Sequence, residues 1–270
     1  MAAPELNDDA VAEILLRLPP DDPAALFRAA LVCKPWLRIV FNPAFLRLYR
    51  AFHRDGVPLL GFFYSHKVDN HACFVSTTAA SPLPPAYGGL CTTRALDCHH
   101  GRVLLRRKFS RNFVVLNPIT GAWVDLQQKP NIRFASYSAV VLCAVAGCNN
   151  HGDCGGGPFL VVCVGNDSVD NAIYACVYSS KDRAWGTPVA AHMYCQRGHG
   201  GFEQKRAAVI GDAMYCTFDS GSRVLRYDLV KGRFSLIIGT PHWYLYTEGR
   251  VLMRNEDGSL GCAGVSISQT

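Results

Sequence analysis

Val11, Ile14, Leu15 and Leu18 fall at i, i+3, i+4 and i+7 in an otherwise polar opening stretch, which is the stripe of one helical face. Asn7 or Asp8 can cap the start of that helix, and the acids Asp8 and Asp9 suit the positive end of its dipole. Pro19-Pro20 ends it, because proline has no N–H and pushes the preceding residue away from helical geometry. Asp22 followed by Pro23 predicts a second start, with Leu26, Phe27, Ala30 and Leu31 as the apolar face. Pro35 opens a third short helix with Trp36, Ile39 and Val40 on one side. Asn42-Pro43 opens a fourth, along which Phe45, Leu48, Tyr49 and Phe52 repeat the helical spacing. Helices this short carry too little apolar surface to enclose a core alone. The predicted role of the segment is to dock, with a second protein covering part of its apolar surface.

The period then changes from helical to strand-like. Strand signals begin near Leu59-Leu-Gly-Phe-Phe-Tyr64, and a proline-rich loop, Ser81–Pro85, follows. Three later segments superimpose: Val115–Trp123, Val177–Trp185 and Arg226–Phe234. Each ends a strand on a turn-starting polar residue, Asn117, Ser179 or Asp228, and reaches a large aromatic, Trp123, Trp185 or Phe234, six residues later. Gly121 and Gly232 occupy the place where such a hairpin needs positive φ; Arg183 stands there in the second copy and makes that turn the weakest of the three. Gly101-Arg-Val-Leu104, Gly211-Asp-Ala-Met214 and Gly249-Arg-Val-Leu252 each place a glycine turn before an apolar strand. Gly211 and Gly249 are 38 residues apart, about the size of a propeller blade, with the recurring aromatic packed between neighbouring blades. A plain antiparallel sandwich or meander fits the same pattern. About three full copies and two partial ones are fewer than most propellers contain, so the body is expected to be truncated or irregularly closed.

Leu6, the block Glu13-Ile-Leu-Leu-Arg-Leu-Pro19 and the block Leu31-Val-Cys-Lys-Pro-Trp36 together resemble the F-box, over about residues 4–45. Pro35 departs from the basic or small polar residue more common there, but proline is permitted at a helix start. The β-rich body more weakly resembles the kelch-like, F-box-associated β-propeller regions found behind F-boxes, particularly in plant proteins, without the paired glycines of a complete kelch signature. The expected fold is therefore a small all-α module of three to four short helices, residues 1–50, followed by an all-β, β-propeller-like body, residues 55–270, with an incomplete ring. The resemblance implies a substrate-recognition adaptor of an SCF-type ubiquitin ligase. In that reading the helices bind a Skp-family adaptor and through it a cullin, the β-body binds a target protein, and the chain performs no catalysis. Pro4, Leu6, Ile14, Leu15, Leu18, Pro19, Leu31, Val32 and Trp36 are the expected adaptor-facing set, shared between internal packing and the partner. Two alternatives are an F-box scaffold outside ubiquitination and a propeller enzyme with a fortuitous F-box-like start.

Composition narrows the classes. The chain has 270 residues, 49% of them hydrophobic, and a net charge of +6. No run of eighteen apolar residues occurs, and acids rather than bases lie at the start, so neither a membrane span nor a secretory leader is expected. Twelve cysteines scattered through apolar strand-like runs, Cys163, Cys176 and Cys216 among them, read as buried thiols of a cytoplasmic or nuclear protein rather than disulfides. Arg102, Arg106, Arg107, Lys108 and Arg111 form the densest basic patch, read as a solvated hairpin face. No aromatic ladder accompanies it, and no nucleic-acid partner is expected.

Cys143, Cys148, His151 and Cys154 are ligand types for tetrahedral zinc, but intervals of four, two and two residues match no common knuckle or finger. A Gly/Asn-rich loop accounts for them, and no metal is assigned. Cys195 with His192 and His199 lacks an orienting third group, and His99-His100 reads as surface. No phosphate loop or nucleophile elbow occurs, so no catalytic residue and no cofactor are assigned.

Overall fold

The computed structural model describes residues 6–20, 23–53, 61–65, 71–77, 90–110, 112–118, 121–126, 132–146, 148, 154, 157–167, 169–170, 172–191, 202, 206–218, 223–238 and 251–263. The chain divides into two units, Met1–Phe62 with Ser76–Ser81, and Phe63–Val75 with Pro82–Thr270.

The first unit holds α1 (Asp8–Leu16), α2 (Pro23–Ala30), α3 (Lys34–Val40) and α4 (Pro43–Phe52). Asn7 caps α1, its Oδ1 accepting from the Ala10 N–H at 2.8 Å, and Asn42 caps α4 through the Ala44 N–H at 2.8 Å. Pro35 lies in the first turn of α3, where its missing N–H costs nothing. The capping role expected of Asp22 lies outside the described residues. Val11, Leu15, Ala30, Val40 and Phe45 form the buried centre, with Leu16, Leu18, Leu26, Trp36, Ile39 and Tyr49 packed around it. The Tyr49 hydroxyl donates to the Leu18 carbonyl at 2.8 Å, and a His53 ring nitrogen lies 2.7 Å from the Leu16 carbonyl, so α4 ties down the unpaired end of α1.

Among the described residues after α4, every regular element longer than a single 3₁₀ turn is a strand. β1 (Gly61–Ser65) pairs with β2 (Ala72–Ser76). Three antiparallel sheets, each of four consecutive strands, follow. The first is β3 (Thr93–His99), β4 (Arg102–Arg107), β5 (Phe113–Leu116) and β6 (Trp123–Leu126). The second is β7 (Phe134–Cys143), β8 (Phe159–Asp167), β9 (Ile173–Ser179) and β10 (Ala184–Trp185), with β11 (Val189–Ala191) added on β9. The third is β12 (Ala208–Ile210), β13 (Ala213–Phe218), β14 (Arg223–Asp228) and β15 (Arg233–Ile238). A two-stranded pair, β16 (Val251–Arg254) with β17 (Leu260–Ala263), comes last. Among the described residues no pairing joins β16–β17 to β1–β2.

The three predicted hairpins are the β5–β6, β9–β10 and β14–β15 connections. Gly121 and Gly232 have φ of 71° and 61°. Arg183 takes φ of 53° at the matching place, so the second turn keeps the same backbone at the steric cost of a Cβ in the left-handed region. Their aromatics are spacers between successive sheets. Trp123 packs on the cluster of Ala72, Leu90, Val103, Leu105 and Val114. Trp185 packs on Leu104, Phe113, Tyr137, Val161 and Tyr178, which come from the first and second sheets. Phe234 packs on the cluster that joins Val162, Val164 and Ile173 to Met214, Phe218 and Leu225. Cys163, Cys176 and Cys216 are buried in these layers, and burial pushes the Cys176 and Cys216 thiols up to about 12.

The basic patch is not a solvated face. Arg102 is 3% exposed and donates to the carbonyls of Cys154 and Gly157, both at 2.6 Å. Arg106 donates to the Tyr137 hydroxyl at 2.7 Å and stacks over its ring. Arg107 forms a two-point pair with Asp125, both bonds 2.9 Å. Arg111 lies outside the described residues. The His99-His100 pair, expected at the surface, is half-buried at the β3–β4 turn, with the rings 4.0 Å apart.

Asp228 sets the third hairpin. Its Oδ1 accepts from the Lys231 N–H at 2.8 Å and the Val230 N–H at 3.2 Å. These amides, the Lys231 one foremost, and Arg226 hold its carboxyl below the ordinary 3.8. A depressed folded value means stabilisation that is complete above the unfolded value and lost as the pH falls through the folded one. The stability gap between the wild type and Asp228→Asn is expected to be constant from pH 7 to about pH 5 and to narrow below about pH 4. Thermal unfolding across that range checks it.

Candidate docking face of the helical module

Packing splits each helical stripe in two. On α1, Val11 and Leu15 point into the core, with Leu15 only 1% exposed, while Ile14 is 49% exposed. On α2, Leu26 and Ala30 pack inward, while Phe27 and, just past the helix, Leu31 lie in the open. On α3, Trp36, Ile39 and Val40 pack inward and Leu37 does not. On α4, Phe45 and Tyr49 pack inward, whereas Leu48 and Phe52, expected on the same face, are exposed. On α2, α3 and α4 the outward set comes in pairs four residues apart, Phe27/Leu31, Leu37/Phe41 and Leu48/Phe52, so each pair sits on one side of its helix.

Of the nine residues expected at the adaptor surface, Leu6, Ile14, Pro19, Leu31 and Val32 are exposed, Leu31 by 82%. Leu18 and Trp36 are partly buried against the helical core, and Leu15 belongs wholly to it. Pro4 lies outside the described residues. Phe27, Leu37, Phe41, Leu48 and Phe52 are exposed apolar groups not assigned to the surface from sequence. Phe27, Leu48 and Phe52 stood on the predicted apolar stripes, where spacing alone does not tell an outward residue from an inward one, and Leu37 and Phe41 lay off them. These large apolar side chains lie open to water on four short helices, the kind of side chain from which association surfaces are built. Leu31 and Val32 are the barest of the expected set, because the chain turns between α2 and α3 there and the Val32 N–H bonds back to Ala29.

The β-unit carries a cleft of about 760 Å³ lined in part by Asp97, His99, His100, Arg206, Asp212 and Arg254. Its buried carboxylate is already committed. Asp97 Oδ2 accepts from the Val141 N–H at 3.0 Å, and Oδ1 accepts from Arg206 Nε at 2.9 Å. Arg206 also donates to the Cys98 carbonyl at 3.0 Å. The group thus joins β3, β7 and the segment entering β12. Burial and the neighbouring Asp97 raise the Cys98 thiol above its ordinary value, so that thiol is not activated as a nucleophile. The Cys195, His192 and His199 group lies outside the described residues. No helix among the described residues is long and apolar enough to cross a membrane.

Residues 4–48 match the F-box domain family, and the match spans all four helices except the last turn of α4. No curated protein matches the chain. The helical unit is accordingly an F-box, a non-catalytic docking module of the kind that typically binds Skp-family adaptors.

Proposed function

We propose that this chain is the substrate-recognition subunit of an SCF-type ubiquitin ligase. The F-box docks on a Skp-family adaptor, which joins it to a cullin, and the β-unit holds a target protein beside the ubiquitin-charged enzyme. The gain is in effective concentration: two reactants held on one scaffold meet as an intramolecular pair, so the chain itself makes and breaks no bond. The observation that carries the reading is the F-box match at residues 4–48 together with the outward apolar set headed by Leu31 and Val32.

For the β-unit we take the three meander sheets as blades of a kelch-like, F-box-associated propeller with an unclosed ring. Three consecutive sheets of four, five and four strands, with an aromatic of each packed against the layer before it, support that reading. The loops at the rims of such sheets are the natural target contacts.

Co-purification of the full chain from cells that hold a cytoplasm and nucleus tests the assembly. Recovery of both the adaptor and a cullin is the expected result. Recovery of the adaptor without a cullin points to a scaffold outside ubiquitination, and recovery of neither overturns the proposal.

A further inference from the structure

The β7–β8 hairpin has an unusually long connection for antiparallel neighbours. Cys143 pairs with Phe159 at its base, and residues 144–158 lie between. The described part of this connection brings Cys143, Cys148 and Cys154 together, with their three sulfurs all within 4.8 Å of one another. Among the described residues no other group of three metal-ligating side chains converges in this way. Zinc–thiolate bonds of about 2.3 Å in a tetrahedron set sulfurs about 3.8 Å apart, a contraction that side-chain rotation supplies. The unfamiliar sequence intervals are no obstacle here. A knuckle must position its ligands by local turns, whereas strand pairing closes this loop from outside.

The surroundings also suit a bound cation. The Val145 N–H points at Cys143 Sγ from 3.4 Å, the amide-to-sulfur contact that supports a metal thiolate. Gly157 permits the loop to fold on itself, since a Cβ there would meet Val145 Cγ2 at 2.5 Å. Cys154 is fully buried, and its carbonyl and that of Gly157 are both gripped by Arg102. That guanidinium is 3% exposed, and its Nη1 has no hydrogen-bond partner. A buried cation served only by carbonyls and the Phe159 ring lacks a counter-charge among the described residues. Three thiolates around one divalent ion carry a net charge of −1, the sign that Arg102 is missing.

We propose that Cys143, Cys148 and Cys154 form a structural zinc site that closes the β7–β8 connection. Each thiol gives up its proton to water on binding, so one Zn²⁺ releases three protons. The ion ties Cys148 and Cys154 to Cys143 across the connection, and Arg102 offsets the negative charge of the site.

The test uses the full chain, purified under reducing conditions together with the adaptor it docks. Elemental analysis is expected to find about one zinc per chain in the wild type and in Cys262→Ser, and close to none in Cys143→Ser and Cys154→Ser. Should the cysteine variants fold poorly, Co²⁺ titrated into the metal-stripped wild-type chain gives an independent reading. Thiolate-to-cobalt charge-transfer absorption that saturates near one equivalent supports the site. Wild-type zinc no higher than in Cys154→Ser, together with a flat Co²⁺ titration, overturns it. A mass two hydrogens lower in the unreduced chain, with Cys143, Cys148 or Cys154 in a disulfide and no metal retained, also overturns it.

Discussion

Leu15→Asp is expected to unfold the F-box, whereas the same substitution at Ile14 leaves it folded. Leu15 lies at the centre of the four-helix core against Val11, Ala30, Val40 and Phe45. Removing a buried leucine side chain costs about 2–5 kcal/mol, and an unpaired carboxylate in its place adds several more. A module of about fifty residues has a stability margin smaller than that sum. Ile14 is half-exposed, so an aspartate there stays in water and costs well under 1 kcal/mol of folding energy. The helical core contains residues of α1–α4 and their flanks alone, and the three β-clusters contain none of them, so strand amides are expected to keep their protection. Amide hydrogen exchange on the full chain reads both regions at once. Loss of protection across residues 8–52 in Leu15→Asp but not in Ile14→Asp is the expected pattern. Equal protection in the two variants would contradict the placement of Leu15.

The second large effect belongs to Asp97, whose carboxylate ties three segments of the β-unit. Asp97→Ala leaves the buried Val141 N–H without its acceptor, a loss of roughly 1–3 kcal/mol. Arg206 is 54% exposed and regains water when its partner goes, so its share is about 1 kcal/mol or less. The total expected from denaturant unfolding is about 2–3 kcal/mol. Arg206→Ala should cost less than Asp97→Ala. The double variant should fall short of the sum of the singles by about 1 kcal/mol, since the pair is directly bonded. Strict additivity would show that the two side chains do not act together.

The helix starts were legible in the sequence because caps and prolines act locally: Asn7 and Asn42 bond amides two or three residues away. The division of each apolar face was not. Ile14 and Leu15 are neighbours on a stripe broad enough to hold both, and only the positions of α2, α3 and α4 decide that Leu15 goes in. Leu48 and Phe52 obey the same spacing as Phe45 and Tyr49 yet end up outside, for the same reason. The hairpins were legible through Asn117, Ser179 and Asp228, whose turn chemistry is again local. Arg183 shows how flanking strands can impose a left-handed turn on a residue that does not favour it. Long-range partners were out of reach. Arg102 looked like part of a basic surface because its acceptors lie 52 and 55 residues further along the chain. The three cysteines looked like loop scatter because the pairing that closes their loop, Cys143 opposite Phe159, is invisible without the register.

The role assigned to the helices stands or falls on what covers Leu31 and Val32. The direct measurement is the affinity of the full chain for a purified Skp-family adaptor, for the wild type and for Leu31→Asp/Val32→Asp, with hydrogen exchange confirming that the helices remain folded. Loss of two apolar anchors at the centre of an interface is worth about 2 kcal/mol or more, so the double variant is expected to bind at least about thirtyfold more weakly. Wild-type affinity in the folded double variant would contradict the assigned face, and an adaptor that fails to bind the wild-type chain would contradict the account as a whole.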